Sequence, residues 1–140
     1  MAFYEDSEQF ETTLKHLFDR VQKTYPQAAE DLEQAKLILR FSCSDPAADI
    51  LINGRRHPAS VTFGENRIRP EVDVQLTADT LHSILLGELR LSRALSSRLL
   101  KIRGPARKTL AVAGLFHECQ KVYPEVLREN GLSDQSQQAE

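Results

Sequence analysis

The apolar residues of this chain change their period along its length, and the order of those changes restricts the fold more than any other feature. From Phe10 to Tyr25 they recur at helical spacing, and from Leu37 to Leu76 they alternate. After Thr77 the helical spacing returns, broken once by alternation across residues 99–103. A helical period cannot bury one face as a strand, nor an alternating period as a helix. The chain is therefore neither a bundle nor a sandwich. Strands flanked by helices predict an α+β fold, one sheet with helices covering one face.

Each segment carries its own boundary signals. Residues 7–25 place Phe10, Leu14, Leu17, Phe18, Val21 and Tyr25 on one stripe, with Ser7 as the cap and Pro26 as the stop. A short helical turn is expected over 28–34. Strands follow at 37–43, 49–52, 59–63 and 70–76, with Asp45-Pro46 breaking the first and Asn53-Gly54 suited to a tight hairpin. Short turns between successive strands predict an antiparallel meander. Thr77 is a good N-cap for a helix carrying Leu81, Ile84 and Leu85, and Gly87 a natural terminator. A second short helix is expected over 91–97 and a fifth strand over 99–103, with Leu100 and Ile102 facing in. Gly104-Pro105 opens a last helix over 105–123, its inner face Val112, Leu115, Phe116, Cys119 and Val122.

Size and composition set the remaining bounds. The 140 residues suit one domain, read as 1–130 with a disordered polar tail over 131–140. With no Trp, three Tyr and six Phe, the core has to be mainly aliphatic. The longest run of apolar residues and glycine, 110–116, is far short of a membrane span. Glu5, Asp6 and Glu8 stand where a secretory signal would be basic. Cys43 and Cys119 read as buried thiols in a reducing compartment, so a cytoplasmic location is expected.

Chemistry-bearing patterns are missing. His16, His57, His82 and His117 have no second ligand at helical spacing, so they read as solvated or interfacial, with no metal. No nucleophile elbow, phosphate loop or dinucleotide fingerprint occurs. Neither an enzyme nor a cofactor is expected.

Two features stand out. Between Glu88 and Lys108 the chain places Arg90, Arg93, Arg98, Lys101, Arg103, Arg107 and Lys108 against Glu88 alone, a local charge of +6 in a chain of net charge −2. Such a block either steers an anionic partner or is a solvated face balanced by the acidic first helix. Nucleic acid is the weaker partner, because no aromatic side chain interleaves with the charges to stack on bases. Alongside lie Leu81, Ile84, Leu85 and Leu86, then Leu89, Leu91 and Leu95, in two short helices joined through Gly87. They can close a dry core or line a cavity for an apolar ligand; periodicity does not decide which.

From Val72 to Gln120 the pattern resembles the sterol carrier protein family of lipid-binding domains. The similarity rests on a strand ending in Leu76, the helix start Thr77-Ala78-Asp79, Leu81 and Ile84 leading to Gly87, a Leu95 helix, and Leu100-Lys101-Ile102-Arg103-Gly104 before a long helix. The resemblance implies a five-stranded mixed, mostly antiparallel sheet, its fifth strand beside its first, with a hydrophobic tunnel between sheet and helices. It also implies non-enzymatic binding or transfer of a fatty acid, fatty acyl-CoA, phospholipid, isoprenoid or sterol. The lining carried over is Val72, Val74, Leu76, Leu81, Ile84, Leu85, Leu95, Leu100, Ile102, Leu115 and Phe116, with Arg90, Arg93 and Arg98 for a headgroup or membrane surface. Small residues or glycine often precede the fifth strand in this family, where this chain has Ser97-Arg98; that charge favours an anionic lipid over a sterol. The expected partners are a lipid ligand, a transient anionic membrane surface and a homodimer, with no nucleic acid. The alternative is an accessory module of the same fold, which presents a lipid-like intermediate to an enzyme or dimerises without lipid.

Overall fold

The alternating stretches pair into one five-stranded mixed sheet with helices on one face, in a computed structural model that describes residues 3–64 and 67–132. Helix α1 (Ser7–Thr24) buries Phe10, Leu14, Leu17, Phe18 and Val21, the stripe its period predicts. Its cap is Asp6 instead of Ser7: the carboxylate accepts from the Gln9 N–H at 2.8 Å, while the Ser7 hydroxyl donates to the Ala47 carbonyl at 2.6 Å. A carboxylate suits the positive helix N-terminus better than a hydroxyl does. Pro26 opens α2 (Pro26–Gln34), a helix of more than two turns where a single turn was expected; Ala28 and Leu32, four apart, bury its inner side.

Strands β1 (Ile38–Ser44), β2 (Ala48–Asn53) and β3 (Ser60–Phe63) form the antiparallel meander. The expectation of a fourth meander strand fails. Strand β4 (Val72–Thr77) leaves β3, returns past β2 and pairs parallel with β1. A hairpin would have held it antiparallel at the β3 edge; residues 64–71 separate the two strands instead. Strand β5 (Leu100–Arg103) then pairs antiparallel with β4 at the edge, so it does not lie beside β1 as expected, and the order is β3-β2-β1-β4-β5. Because β4 takes the place beside β1, the inner rows run Ile50, Phe41, Val74, Ile102 and Ala48, Cys43, Leu76, Leu100. Ile38 and Leu51 point to the opposite face yet are buried, on the side where Arg40 meets Arg69, Pro70 and Glu71.

Asn53-Gly54 is not a tight hairpin turn either. Residues 54–59 form a wider loop, and Gly54 is not in the left-handed region. Glycine is needed there for close approach: the Gly54 N–H donates to the Leu37 carbonyl at 2.7 Å, and a Cβ would sit 2.5 Å from the Leu32 oxygen.

The Thr77 hydroxyl caps α3 (Ala78–Leu85) through the Thr80 N–H, and Gly87 ends it at φ +79 as its sequence position suggested. Helix α4 (Leu91–Ser96) follows, then α5 (Ala106–Glu129). The last helix runs on past Tyr123 through Pro124, against the expected stop. Val126 and Leu127 continue its buried face, and that burial outweighs the backbone bond a proline removes. Gly131 and Leu132 finish it by donating to the Arg128 and Leu127 carbonyls. The remainder of the expected polar tail, 133–140, lies outside the described residues.

Candidate functional site

The space between the sheet and its helices is wholly apolar at its centre. Phe41 of β1 meets Phe116 of α5 edge to face, with ring centroids 5.7 Å apart, and lies 6.4 Å from Phe18 of α1. These rings leave a cavity of about 10 Å³, walled by Leu14, Leu17, Phe18, Phe41, Ile50, Leu81, Leu85, Leu115, Phe116 and Cys119. That is roughly the room one water needs. A second void of about 20 Å³ lies toward α2 and β3, and Phe18 and Leu115 line both. Those two side chains are the partition between them.

The residues assigned from the sequence fall into three groups. Leu81, Leu85, Leu115 and Phe116 line the cavity itself. Val72, Val74, Leu76, Ile84 and Leu100 are buried in the surrounding core, and Ile102 is half-buried against it. Leu95 sits on the outside of α4 with 40% of its surface exposed. Leu14, Leu17, Phe18, Phe41, Ile50 and Cys119 complete the cavity; the stripes of the first and last helices place Leu14, Leu17, Phe18 and Cys119 in the core, but only the packing brings α1 and β2 against α3 and α5 here.

Helix α4 is the thinnest part of the cover. Ala94 is its one buried residue, and Leu89 and Leu91 are packed only in part against the core. Outward it presents Leu95 and, just beyond, Leu99 at 49% exposure, with Arg90, Arg93 and Arg98 exposed around them. None of the three arginines is in an ion pair among the described residues. Arg98 adopts φ +62, a left-handed conformation that glycine takes freely and that costs another residue roughly 1 kcal/mol. Its position, before β5, is the one where the resemblance leads one to expect a small residue.

His82 departs from the expectation of a solvated or interfacial histidine. It is 2% exposed, with its ring stacked on Phe3 at 3.7 Å and its Nδ1 2.6 Å from the Tyr123 hydroxyl, which in turn lies 2.5 Å from the Tyr4 hydroxyl. Burial pushes its pKa down to about 4, against the opposing pull of Asp79, so the ring is neutral near pH 7. Burial likewise raises the Tyr4 and Tyr123 hydroxyls well above their usual range. The spacing of Ala78, Leu81, His82 and Leu85 on one helical face is the signal that could have found it. The group ties residues 3–4 to α3 and α5 and opens onto none of the cavities described here. Burial also pushes the Cys43 thiol up to about 12 and raises Cys119, which makes both poor nucleophiles. Among the described residues no cluster of His, Cys, Asp and Glu is placed to hold a metal, and no helix is long and apolar enough to cross a membrane.

The architecture has solved counterparts. The sterol carrier protein domain 2 of Helicoverpa armigera superposes with a TM-score of 0.67 at 16% identity, over 81% of this chain and 89% of that one. The apo sterol carrier protein 2 of Yarrowia lipolytica gives 0.59 at 19% identity, over 86% and 95%. Sterol carrier protein 2 like 2 of Aedes aegypti gives 0.55 at 17% identity, over 76% and 95%. At such identities these likenesses show the fold alone, and no curated protein matches the chain in sequence. Residues 14–117, from the second turn of α1 to the middle of α5, match the SCP-2 sterol transfer family. With that match covering most of the sheet-and-helix layer just described, the chain belongs to the SCP-2 sterol transfer family, in which lipid or sterol binding or transfer is the general activity.

Proposed function

We propose that this protein is a non-enzymatic cytoplasmic carrier that takes the apolar chain of an anionic lipid between its sheet and helices, entering beneath α4. The observation that carries this is the contrast in the cover: an apolar interlayer with two small voids, closed on one side by a helix with a single buried residue. Ligand pockets run to hundreds of Å³, so the layer has to open to receive a chain. Separating α4 exposes Ala94 and parts of Leu89 and Leu91, a cost of about 2–4 kcal/mol. Ten buried methylenes return about 8 kcal/mol before ordering costs. Arg90, Arg93 and Arg98 then meet the headgroup or an anionic bilayer, at roughly 1 kcal/mol each. The two buried free thiols suit a reducing compartment.

The test is native mass spectrometry of protein purified without detergent, followed by organic extraction. A discrete added mass that extracts as lipid supports the carrier, and the extract gives its class. A mass that stays apo with fatty acid, acyl-CoA and phospholipid overturns it. In a second arm, Arg93→Glu with Arg98→Glu weakens binding to anionic vesicles without unfolding the chain; unchanged binding at low salt removes these arginines from the reading.

A second reading has its own support. The voids are water-sized, while Leu95 and Leu99 are both exposed. A filled core with an apolar surface patch suits a module that docks on a partner enzyme or on a second copy. An apo mass together with a dimer in solution would favour it.

A further inference from the structure

The face of the sheet opposite the helices holds a second concavity, larger than either interlayer void. It is an open groove of about 440 Å³, lined by Arg40, Arg67, Arg69, Arg103, Glu71 and Asp73, among others. Strand register builds its floor. Arg40 of β1, Asp73 of β4 and Arg103 of β5 stand in one row across three strands, all pointing away from the helices. Residues 67–71, which lead into β4, supply Arg67 and Arg69 as one wall.

Both carboxylates are already satisfied from within the fold. Asp73 accepts from Arg40 through two nitrogens, at 3.3 and 2.9 Å, and from the Ser42 hydroxyl at 3.2 Å. Burial alone would raise its pKa, but those partners outweigh burial and hold it below the usual carboxylate range. Glu71 binds Lys108 and the Ile38 N–H, and pairs with Arg55 at 3.3 Å. Its pKa is lowered as well, chiefly by the Lys108 hydrogen bond. Arg67, Arg69 and Arg103 are left with no carboxylate among the described residues, exposed at the rim of the same groove.

From this arrangement we infer that the outer face is a binding site for a small phosphorylated ligand, a phosphate monoester or diphosphate on an organic body. Guanidinium forks match phosphate oxygens in pairs, and a phosphate offers more charge and more acceptors than a carboxylate. The volume suits a molecule larger than free phosphate. No aromatic ring lines the groove to stack a nucleic-acid base, which argues against an RNA strand. The site is independent of the lipid reading, since the whole sheet separates it from the interlayer.

The test is a titration of the full chain with ADP and with inorganic pyrophosphate, followed by backbone amide NMR shifts. Saturable shifts at residues 67–73 and 103–104 are expected. Arg67→Gln with Arg69→Gln should weaken binding about tenfold or more. Lys15→Gln with Lys23→Gln, on α1 across the sheet, should leave it unchanged. Both pairs are exposed, and unchanged amide dispersion shows that the variants fold. Phosphatidylcholine vesicles with and without phosphatidic acid separate the two sources of the phosphate. Vesicle binding that an Arg93→Gln, Arg98→Gln variant retains, and that is lost when Arg67 and Arg69 are replaced as well, assigns the site to a headgroup; soluble binding alone assigns it to a free phosphate ester. Either result supports the site. No saturation with any probe, shifts spread equally over residues 90–98, or full binding by the Arg67/Arg69 variant overturns it.

Discussion

The two ends of the helical layer are built differently. At one end α1 and α5 lie together, with Phe10, Leu14, Val126 and Leu127 all but inaccessible and Arg20 bridging Glu125 and Glu129 at 2.9 and 2.5 Å. At the other, α3 and α4 are two short helices joined by a glycine turn, and α4 rests on Ala94. Buried apolar area sets the free energy of local opening, so the α4 end is where this fold can part without unfolding. On the proposed carrier reading, the difference teaches that a filled layer needs no preformed tunnel, only one weakly held cover. The exposed arginines stand around that same cover, where opening and anion contact would be coupled.

The strongest blow to the comparison is at the α1–α5 end. Phe10→Ala should cost about 3–5 kcal/mol in urea denaturation, because a fully buried ring leaves a cavity beside Tyr4 and Thr13. A loss below about 1 kcal/mol would mean that this end is no better packed than α4.

Next in size is the pH dependence from His82, which joins residues 3–4 to both α3 and α5. Its folded pKa of about 4 lies below the unfolded value of 6.5, so between those limits the unfolded chain binds a proton that the folded chain refuses. Stability should therefore fall by about 3 kcal/mol as pH drops from 7 to 4, and His82→Phe should flatten the part between pH 6.5 and 5. The carboxylates lowered by their partners act in the same direction, but at more acid pH, so that window isolates the histidine. An unaltered slope in the variant would show that His82 is not held neutral in the folded chain.

The smallest effect sharpens the other side of the comparison. Arg98→Gly relieves a left-handed arginine and removes one charge from the proposed mouth. Stability should stay within about 1 kcal/mol of the starting value, while anionic vesicle affinity drops about fivefold. Chemical denaturation and vesicle sedimentation read the two together. A loss of stability with unchanged vesicle binding would make Arg98 a structural residue.

Much of the inner layer was legible before any coordinates. Alternation places Leu100 inward, helical spacing places Leu115, Phe116 and Cys119 on an inner face, and each is buried. Several of the errors are of one kind. Ser7 for Asp6, a tight turn at Gly54, a stop at Tyr123 and a solvated or interfacial His82 were local readings that a distant neighbour overruled: Ala47, Leu37, the continuing buried face and Phe3 with Tyr123. Leu95, placed in the lining by the family resemblance, stands on the surface because α4 is too short to bury two sides.

The sequence by itself determined which segments are helix or strand and which side of each is apolar, because period and capping act within a few residues. It also determined the +6 charge block and the match to the SCP-2 sterol transfer family. Only the tertiary structure decided that β4 recrosses to lie parallel to β1. With that came the row of Arg40, Asp73 and Arg103, and with the packing of α3 and α5 came the burial of His82. Strand order and register join residues more than thirty positions apart, and nothing in a local period records which distant edge a strand will meet.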